Sequence, residues 1–317
     1  MPLQRRAWLV PLCLFILYTV WGSTYLAQRI ALASFAPLSM AGVRFVISGA
    51  LLYGFMRLRG AAAPTRAEWR NVVVSGVPLI VTGMGAAAVG MQRVPSGLTA
   101  LLFGSVPLWA SFIDWLWGGR LRKFEVAGLV VGLAGVTLVS VEGGLDGDPL
   151  GALTVLGAAA SYALGCVSTR RLAIPKGAMG PAAQMLAGGV LLLIASVATG
   201  ERMPTPTGPT ILALVHLIVL GSLAAYTALG YLLKNARPAL ATSYAFVNPI
   251  VALGLGAWLA GEQFGVADIA GLGLVLLAVA LVAAGARDAK KRAVDVEPGG
   301  VGNDAVVSVA PAQVSRG

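Results

Sequence analysis

Nine long stretches of this chain carry no Asp, Glu, Lys or Arg: residues 7–28, 71–92, 94–113, 126–141, 149–169, 177–200, 203–233, 238–261 and 269–286. A bilayer-spanning helix takes about 20 predominantly apolar residues, so these stretches constrain the fold more than anything else in the sequence. A tenth, near 38–56, is interrupted only by Arg44, and 126–141 reaches Phe124 if Glu125 sits at the interface. The expectation is an all-α polytopic membrane protein of ten transmembrane helices joined by short loops. Membrane strands would alternate apolar and polar residues, and runs such as Leu191-Leu192-Leu193-Ile194-Ala195 do not. Composition agrees. Of 317 residues 57% are hydrophobic and 11% charged, whereas soluble domains run at about 25% charged. With 41 Gly and 17 Pro, a coiled coil is excluded too.

A net charge of +10 resembles a nucleic-acid footprint until its placement is followed. With the N-terminus inside, 18 of the 23 Lys and Arg fall on inner segments, among them Arg57, Arg59, Arg120, Arg122, Lys123, Arg170 and Arg171. The outer ends and loops hold Arg29, Arg93 and Arg202, together with the acids Glu142, Asp146, Asp148, Glu201, Glu262 and Asp268. Positive charge marks the cytoplasmic side, so an even number of spans puts both termini there, in a bacterial inner membrane. The basic excess then serves topology, and no nucleic-acid partner is expected. Arg5-Arg6 before an apolar run could open a cleaved signal, but no small-x-small site follows and the first helix is retained. Cys13 and Cys166 read as small core residues within spans. Residues 288–317 turn polar and read as a disordered cytoplasmic tail.

The two halves repeat. Pro95 recurs as Pro238, Pro107 as Pro249, Gly119 as Gly261 and Gly128 as Gly271, at offsets of 142 or 143 residues. Each unit holds five helices, and an odd number makes the second unit enter the membrane from the opposite side. Two inverted five-helix repeats, 8–141 and 149–287, follow. Exchanging the conformations of such halves turns an outward-open cavity into an inward-open one, which favours a carrier over a pore or an enzyme.

The run Trp21-Gly22-Ser23-Thr24-Tyr25, then Arg44-Phe45, Val94-Pro95-Ser96-Gly97, Gln184-Met185-Leu186-Ala187-Gly188-Gly189, and the segment from Pro238 to Pro249 closed by Gly261-Glu262, resemble the EamA-type transporters of the drug/metabolite transporter superfamily, in particular their YedA-like branch. The resemblance spans about residues 8–287. It implies ten helices, the first four of each half around a central cavity and the fifth, 124–141 and 264–287, packed outside. It also implies export of a small metabolite, such as an amino acid or another amphipathic compound. The chain departs from the family pattern at Gly83-Met84-Gly85, where relatives carry Asn between the glycines, and at Gly90, where they carry Glu. A less polar and less acidic cavity is the expected consequence.

Polar side chains at bilayer depth cost free energy unless they face the bundle interior, a polar partner or water. Mid-span polar and aromatic residues on the cavity helices are therefore candidate substrate-binding residues: Trp21, Thr24, Tyr25, Thr82, Ser105, Tyr162, Tyr226, Ser243, Tyr244 and Asn248. Pro107 and Pro249 are repeat equivalents, each removing a backbone N–H at matching depth, and read as hinges. Three groups have charge roles to weigh. Arg44 can snorkel to the interface or meet a substrate carboxylate, and the structural role is the expectation. His216, the only histidine, is expected to be a neutral, hydrogen-bonded interface residue; Asp114 is expected to pair with Arg120 or Arg122. The small residues Gly128, Gly132 and Gly135 point to close helix packing, within the chain or in a homodimer.

No phosphate loop, metal cluster or nucleophile-base pair is present, so no cofactor and no metal is expected. A membrane-embedded enzyme is the alternative of a different class, and an antiporter of phosphorylated or nucleotide-type substrates the alternative among transporters. The latter calls for Lys or Arg near mid-membrane, and the sequence reading places none there. The expected partners are the lipid bilayer and a small-molecule substrate.

Overall fold

A computed structural model of the protein describes residues 8–119, 123–142, 148–202, 205–235 and 244–295, and among these it contains helices and no strand. The helices are α1 (Leu9–Leu32), α2 (Pro37–Leu58), α3 (Arg66–Gly90), α4 (Ser96–Leu116), α6 (Pro149–Arg171), α7 (Met179–Ala198) and α8 (Gly208–Leu229, helical on to Asn235), with α5 (Lys123–Glu142), α9 (Tyr244–Ala260) and α10 (Val266–Asp295). Seven of them, α1–α4 and α6–α8, are long and apolar enough to cross a membrane, and α9 and α10 contain shorter apolar stretches, Val247–Ala260 and Asp268–Leu281. Their outward faces are apolar: Phe55, Ile194, Leu212 and Trp258 are all exposed. That surface suits lipid and not water. Helix α10 runs to Asp295, past the expected start of the tail at 288, because Ala289, Lys290, Lys291, Arg292 and Ala293 are good helix formers.

The ends of the helices are written in local chemistry. Pro37 and Pro149 open α2 and α6 at positions that need no N–H, and Thr65 with Glu68 forms a capping box on α3. Gly60 and Gly200 follow α2 and α7, and Gly118 and Gly261 follow α4 and α9, each with positive φ. A side chain there would strain the turn. The turn equivalent to Gly261 is thus Gly118, one residue before the Gly119 that the repeat alignment pairs with it.

Packing joins repeat-related helices: α2 lies along α7, α5 along α10, and the first part of α4 against α9. The α2–α7 seam depends on absent side chains. A Cβ at Gly49 would come 2.5 Å from the Leu186 nitrogen, and one at Gly189 2.6 Å from the Val46 nitrogen. In lipid, such close backbone approach supplies the van der Waals contact that drives helix association. Likewise, a Cβ at Gly132 would strike the Leu108 side chain, and one at Gly135 would meet Leu274. The small face of α5 is therefore used inside the chain.

Four helices are irregular. Residues 17–21 of α1, 77–85 of α3 and 217–224 of α8 are π-helical, and α4 breaks at Gly104-Ser105 before restarting with Pro107 in its first turn. Its repeat equivalent Pro249 lies inside an unbroken α9. The stretches in α3 and α8 occupy corresponding positions of the two halves, and wide turns of this kind recur at functional sites.

Candidate functional site

The irregular stretches meet around a cavity of about 180 Å³. Its walls come from α1 (Trp21, Thr24, Tyr25, Gln28), α2 (Arg44, Phe45), α3 with the residue after it (Met84, Ala87, Met91), α4 (Thr99, Ala100, Phe103, Gly104, Val106, Pro107), α6 (Tyr162), α8 (Gly221, Tyr226) and α9 (Tyr244, Asn248, Pro249). Helices α5 and α10 contribute none of these residues, and neither does α7, which lies behind α2.

Seven aromatic rings stand in the wall. Trp21 stands edge-on to Tyr244 and Tyr226, with ring centres 4.7 and 5.7 Å away. Phe103 bridges Tyr25 and Tyr162 at 6.4 and 5.9 Å. Edge-to-face contacts of this kind hold rings in place while leaving their faces for a ligand. The Trp21 indole N–H donates to the Gly221 carbonyl at 3.0 Å, tying the π-helical turn of α1 to that of α8. Thr24 donates to the Trp21 carbonyl at 2.6 Å. With its amide turned so that nitrogen faces the acceptors, Asn248 donates to the carbonyls of Tyr244 and Leu17, each at 3.2 Å. It thereby ties α9 to the irregular part of α1 in the turn that ends at Pro249.

Arg44 corrects the expectation of a snorkelling side chain. It is 5% exposed and faces the cavity. Its Nε donates to Ser222 Oγ at 3.3 Å, one Nη to Gln28 Oε1 at 3.4 Å, and its guanidinium lies 4.9 Å from the centre of the Phe45 ring. The cavity thus holds a cation that the sequence reading did not place there.

The end of the bundle carrying Glu262 is held together by polar contacts. Glu262 accepts hydrogen bonds from the Ser96 and Gly97 amides at 2.9 and 3.1 Å and from the Ser96 hydroxyl at 2.8 Å, capping α4. Arg29 of α1 lies 3.6 Å from the same carboxylate and donates to the Val94 carbonyl at 3.2 Å. The Val-Pro-Ser-Gly and Gly-Glu motifs are the two sides of this contact. Glu201, following α7, does the same for α2, accepting from the Leu38 and Ser39 amides at 3.0 and 2.8 Å.

A central cavity between two sets of irregular helices is the frame in which the comparisons with known proteins fall. The EamA-like transporter family matches residues 8–141 and again 149–284. The chain belongs to this family. It is 42% identical over 286 residues to "Uncharacterized inner membrane transporter YedA" of Escherichia coli K12, covering 89% of this chain and 94% of that protein. It is 29% identical to "Uncharacterized transporter YvbV" of Bacillus subtilis strain 168, over 90% and 95% of the two chains. A Chlamydia trachomatis S-adenosylmethionine/S-adenosylhomocysteine transporter is 25% identical over 85% and 87%. A solved crystal structure superposes with a TM-score of 0.62 at 21% identity, over 88% of this chain and 98% of that one, and shows the fold alone. As an EamA-like transporter the protein is a membrane transporter of a small molecule and not an enzyme.

Of the candidate residues of this EamA-like chain, Trp21, Thr24, Tyr25, Tyr162, Tyr226, Tyr244 and Asn248 line the cavity, as do Pro107 and Pro249. Thr82 does not. The wide turn of α3 rotates it toward α6, where its hydroxyl lies 2.6 Å from that of Ser161, and Met84 faces the cavity instead. Ser105 is also absent from the lining: it sits at the α4 break and donates to the Leu102 carbonyl. Ser243 lies outside the described residues. Asp114 pairs with Arg171 of α6 at 2.8 Å, away from the lining; Arg120 and Arg122, its expected partners, lie outside the described residues. His216 Nε2 is 3.0 Å from Ser23 Oγ, one α8-to-α1 contact beyond the cavity wall. The residues missed include Gln28, Phe45, Met84, Met91, Thr99, Phe103 and Gly221, of which Gln28, Phe45, Thr99 and Phe103 carried the signal already used for their neighbours, a polar or aromatic group within a span. Gly90 faces α6: a Cβ there would meet Val155 at 2.7 Å, so this glycine serves close packing and not the cavity wall.

Proposed function

We propose that this transporter is an inner-membrane carrier of ten spans in two inverted repeats, 8–141 and 149–287, with both termini cytoplasmic, that exports a small amphipathic metabolite such as an amino acid by alternating access. The observation that carries the reading is a cavity walled by both halves, with one end of the bundle held together by a few hydrogen bonds. Placing the basic segments inside makes the Glu262 end the outer one, so the described state is closed outward. Opening it requires α4 to leave Glu262, and the broken α4 and the π-helical turns offer places to bend. The aromatic wall suits an apolar or planar body.

The test is flux. In proteoliposomes a screen of metabolites should find one whose entry or exit depends on the protein and which is recovered chemically unchanged. Protein-dependent conversion to another compound would sink the proposal. A second reading is exchange of phosphorylated or nucleotide-type substrates; the chlamydial relative's name touches only the nucleoside part of it, since S-adenosylmethionine and S-adenosylhomocysteine carry no phosphate. Against phosphorylated substrates, Arg44 is the one cation in the described lining, and a phosphate dianion is better met by more than one.

A further inference from the structure

The guanidinium of Arg44 is the one charge in the described cavity wall, and its surroundings do not neutralise it. Guanidinium carries five N–H donors; here Nε and one N–H of Nη1 are used, both on neutral oxygens and both at the long end of hydrogen bonding, 3.3 and 3.4 Å. Among the described carboxylates, Glu201 and Glu262 cap helix N-termini, Asp114 pairs with Arg171, Asp148 with Arg93, and Asp268 accepts from the Gly265 amide. None lies within ion-pair distance of Arg44. Taking an ion out of water costs several kcal/mol unless a countercharge is supplied. The guanidinium borders the cavity of about 180 Å³, with Thr24, Gln28 and Tyr226 beside it in the wall.

We propose that Arg44 and Gln28 form a carboxylate-binding site within the transport cavity, and that the substrate is a small molecule with one carboxylate and an apolar body. The carboxylate takes the free N–H groups of Arg44, while the Gln28 amide, whose oxygen already faces the guanidinium, presents its NH₂ to the same anion. The body extends along Trp21, Tyr226 and Tyr244. A single cation matches a single negative charge and leaves a phosphate dianion undercompensated. With no acid in the described wall, an ammonium group would contribute less than the carboxylate and meet only aromatic faces and hydroxyls. This inference rests on the carrier reading for its biological meaning, though the site itself is defined by binding.

Binding of matched probes to the purified full chain, followed by tryptophan fluorescence, tests it, since Trp21 lies in the wall. The probes are 3-phenylpropionate and 3-phenylpropionamide, 4-methylvalerate and its amide, L-phenylalanine and L-phenylalaninamide, and phenyl phosphate. In the wild type each acid should bind about tenfold or more tighter than its amide, the difference made by a charge-assisted pair. Arg44→Gln should abolish the preference and Arg44→Lys keep part of it. Gln28→Glu, which places an anion against the guanidinium, should suppress carboxylate binding and raise the unfolding temperature; it serves if Arg44→Gln does not fold. Equal binding of acid and amide, binding of neither, tighter binding of phenyl phosphate, or an acid preference that survives Arg44→Gln or Gln28→Glu each overturns the proposal. Flux of a metabolite without acid preference would remove this site and leave the carrier standing. Acid-selective binding with no flux of any substrate would do the reverse.

Discussion

Asn248 and Tyr244 both pack against α1 and face the cavity. The Asn248 amide holds two carbonyls of irregular backbone, and the Tyr244 ring is the nearest neighbour of Trp21. If they line the transport path, Asn248→Ala and Tyr244→Ala should each cut substrate flux by about tenfold or more, the loss expected for one polar contact or one stacked ring. The unfolding temperature should stay near that of the wild type. A fall in stability matching the fall in flux would make them packing residues. Glu201 predicts the opposite pattern. Its carboxylate caps α2 through two amides and also accepts from the Ser196 hydroxyl at 2.8 Å. Glu201→Ala should therefore cost about 1–2 kcal/mol of stability, the worth of a helix cap, measured by thermal or denaturant unfolding, while flux per folded molecule is unchanged.

Among the elements, α4 and α9 are related by the repeat yet differ in shape. Proline removes a backbone donor in both, but only α4 breaks, because Gly104-Ser105 adds a turn that α9 lacks. Converting Pro107 and Pro249 to Ala together restores a backbone donor in both helices and should slow exchange between inward-open and outward-open states. Spin-label distances across the two ends of the cavity would report it, and an unchanged distribution and exchange rate would reduce both prolines to static kinks. The outer contact acts on the same equilibrium from the other side. Glu262→Ala removes the cap of α4 and the countercharge of Arg29, so the outward-open population should rise. Wider label distances between the Ser96 and Ala260 ends are the expected sign, and unchanged distances would show that the contact does not hold the closed state.

For the whole molecule, the open question is what drives transport. Proton coupling needs a titratable group that both sides reach in turn. The described cavity wall holds no acid and no histidine: Asp114 is paired at one end, and His216 sits beyond the wall. Facilitated export or exchange is the expectation. In proteoliposomes the flux of a known substrate should reverse with its own gradient and carry no protons beyond those the substrate brings. Stoichiometric proton movement abolished by Asp114→Asn or His216→Ala would overturn this. A carboxylate substrate paired with the fixed charge of Arg44 needs no proton to enter the cavity, so the two expectations support each other.

Sequence alone determined the solvent and the family, because both are set by quantities that add along the chain. Apolar runs of span length, the basic residues between them and the offset of 142–143 residues are legible without knowing which helices touch. Tertiary structure decided which side chains face the cavity. Thr82 and Arg44 both read as near-interface or lining residues by depth, yet the wide turn of α3 turned Thr82 away and left Met84 in its place, whereas α8 supplied Ser222 and α1 supplied Gln28 to hold Arg44 inward. Rotation about a helix axis depends on π-helical turns and on glycine contacts between helices distant in sequence, such as Gly49 with Leu186. Neither leaves a local pattern, because what fixes the facing of a membrane helix is the close fit of its neighbours and not the surrounding lipid, which is as apolar as the helix itself.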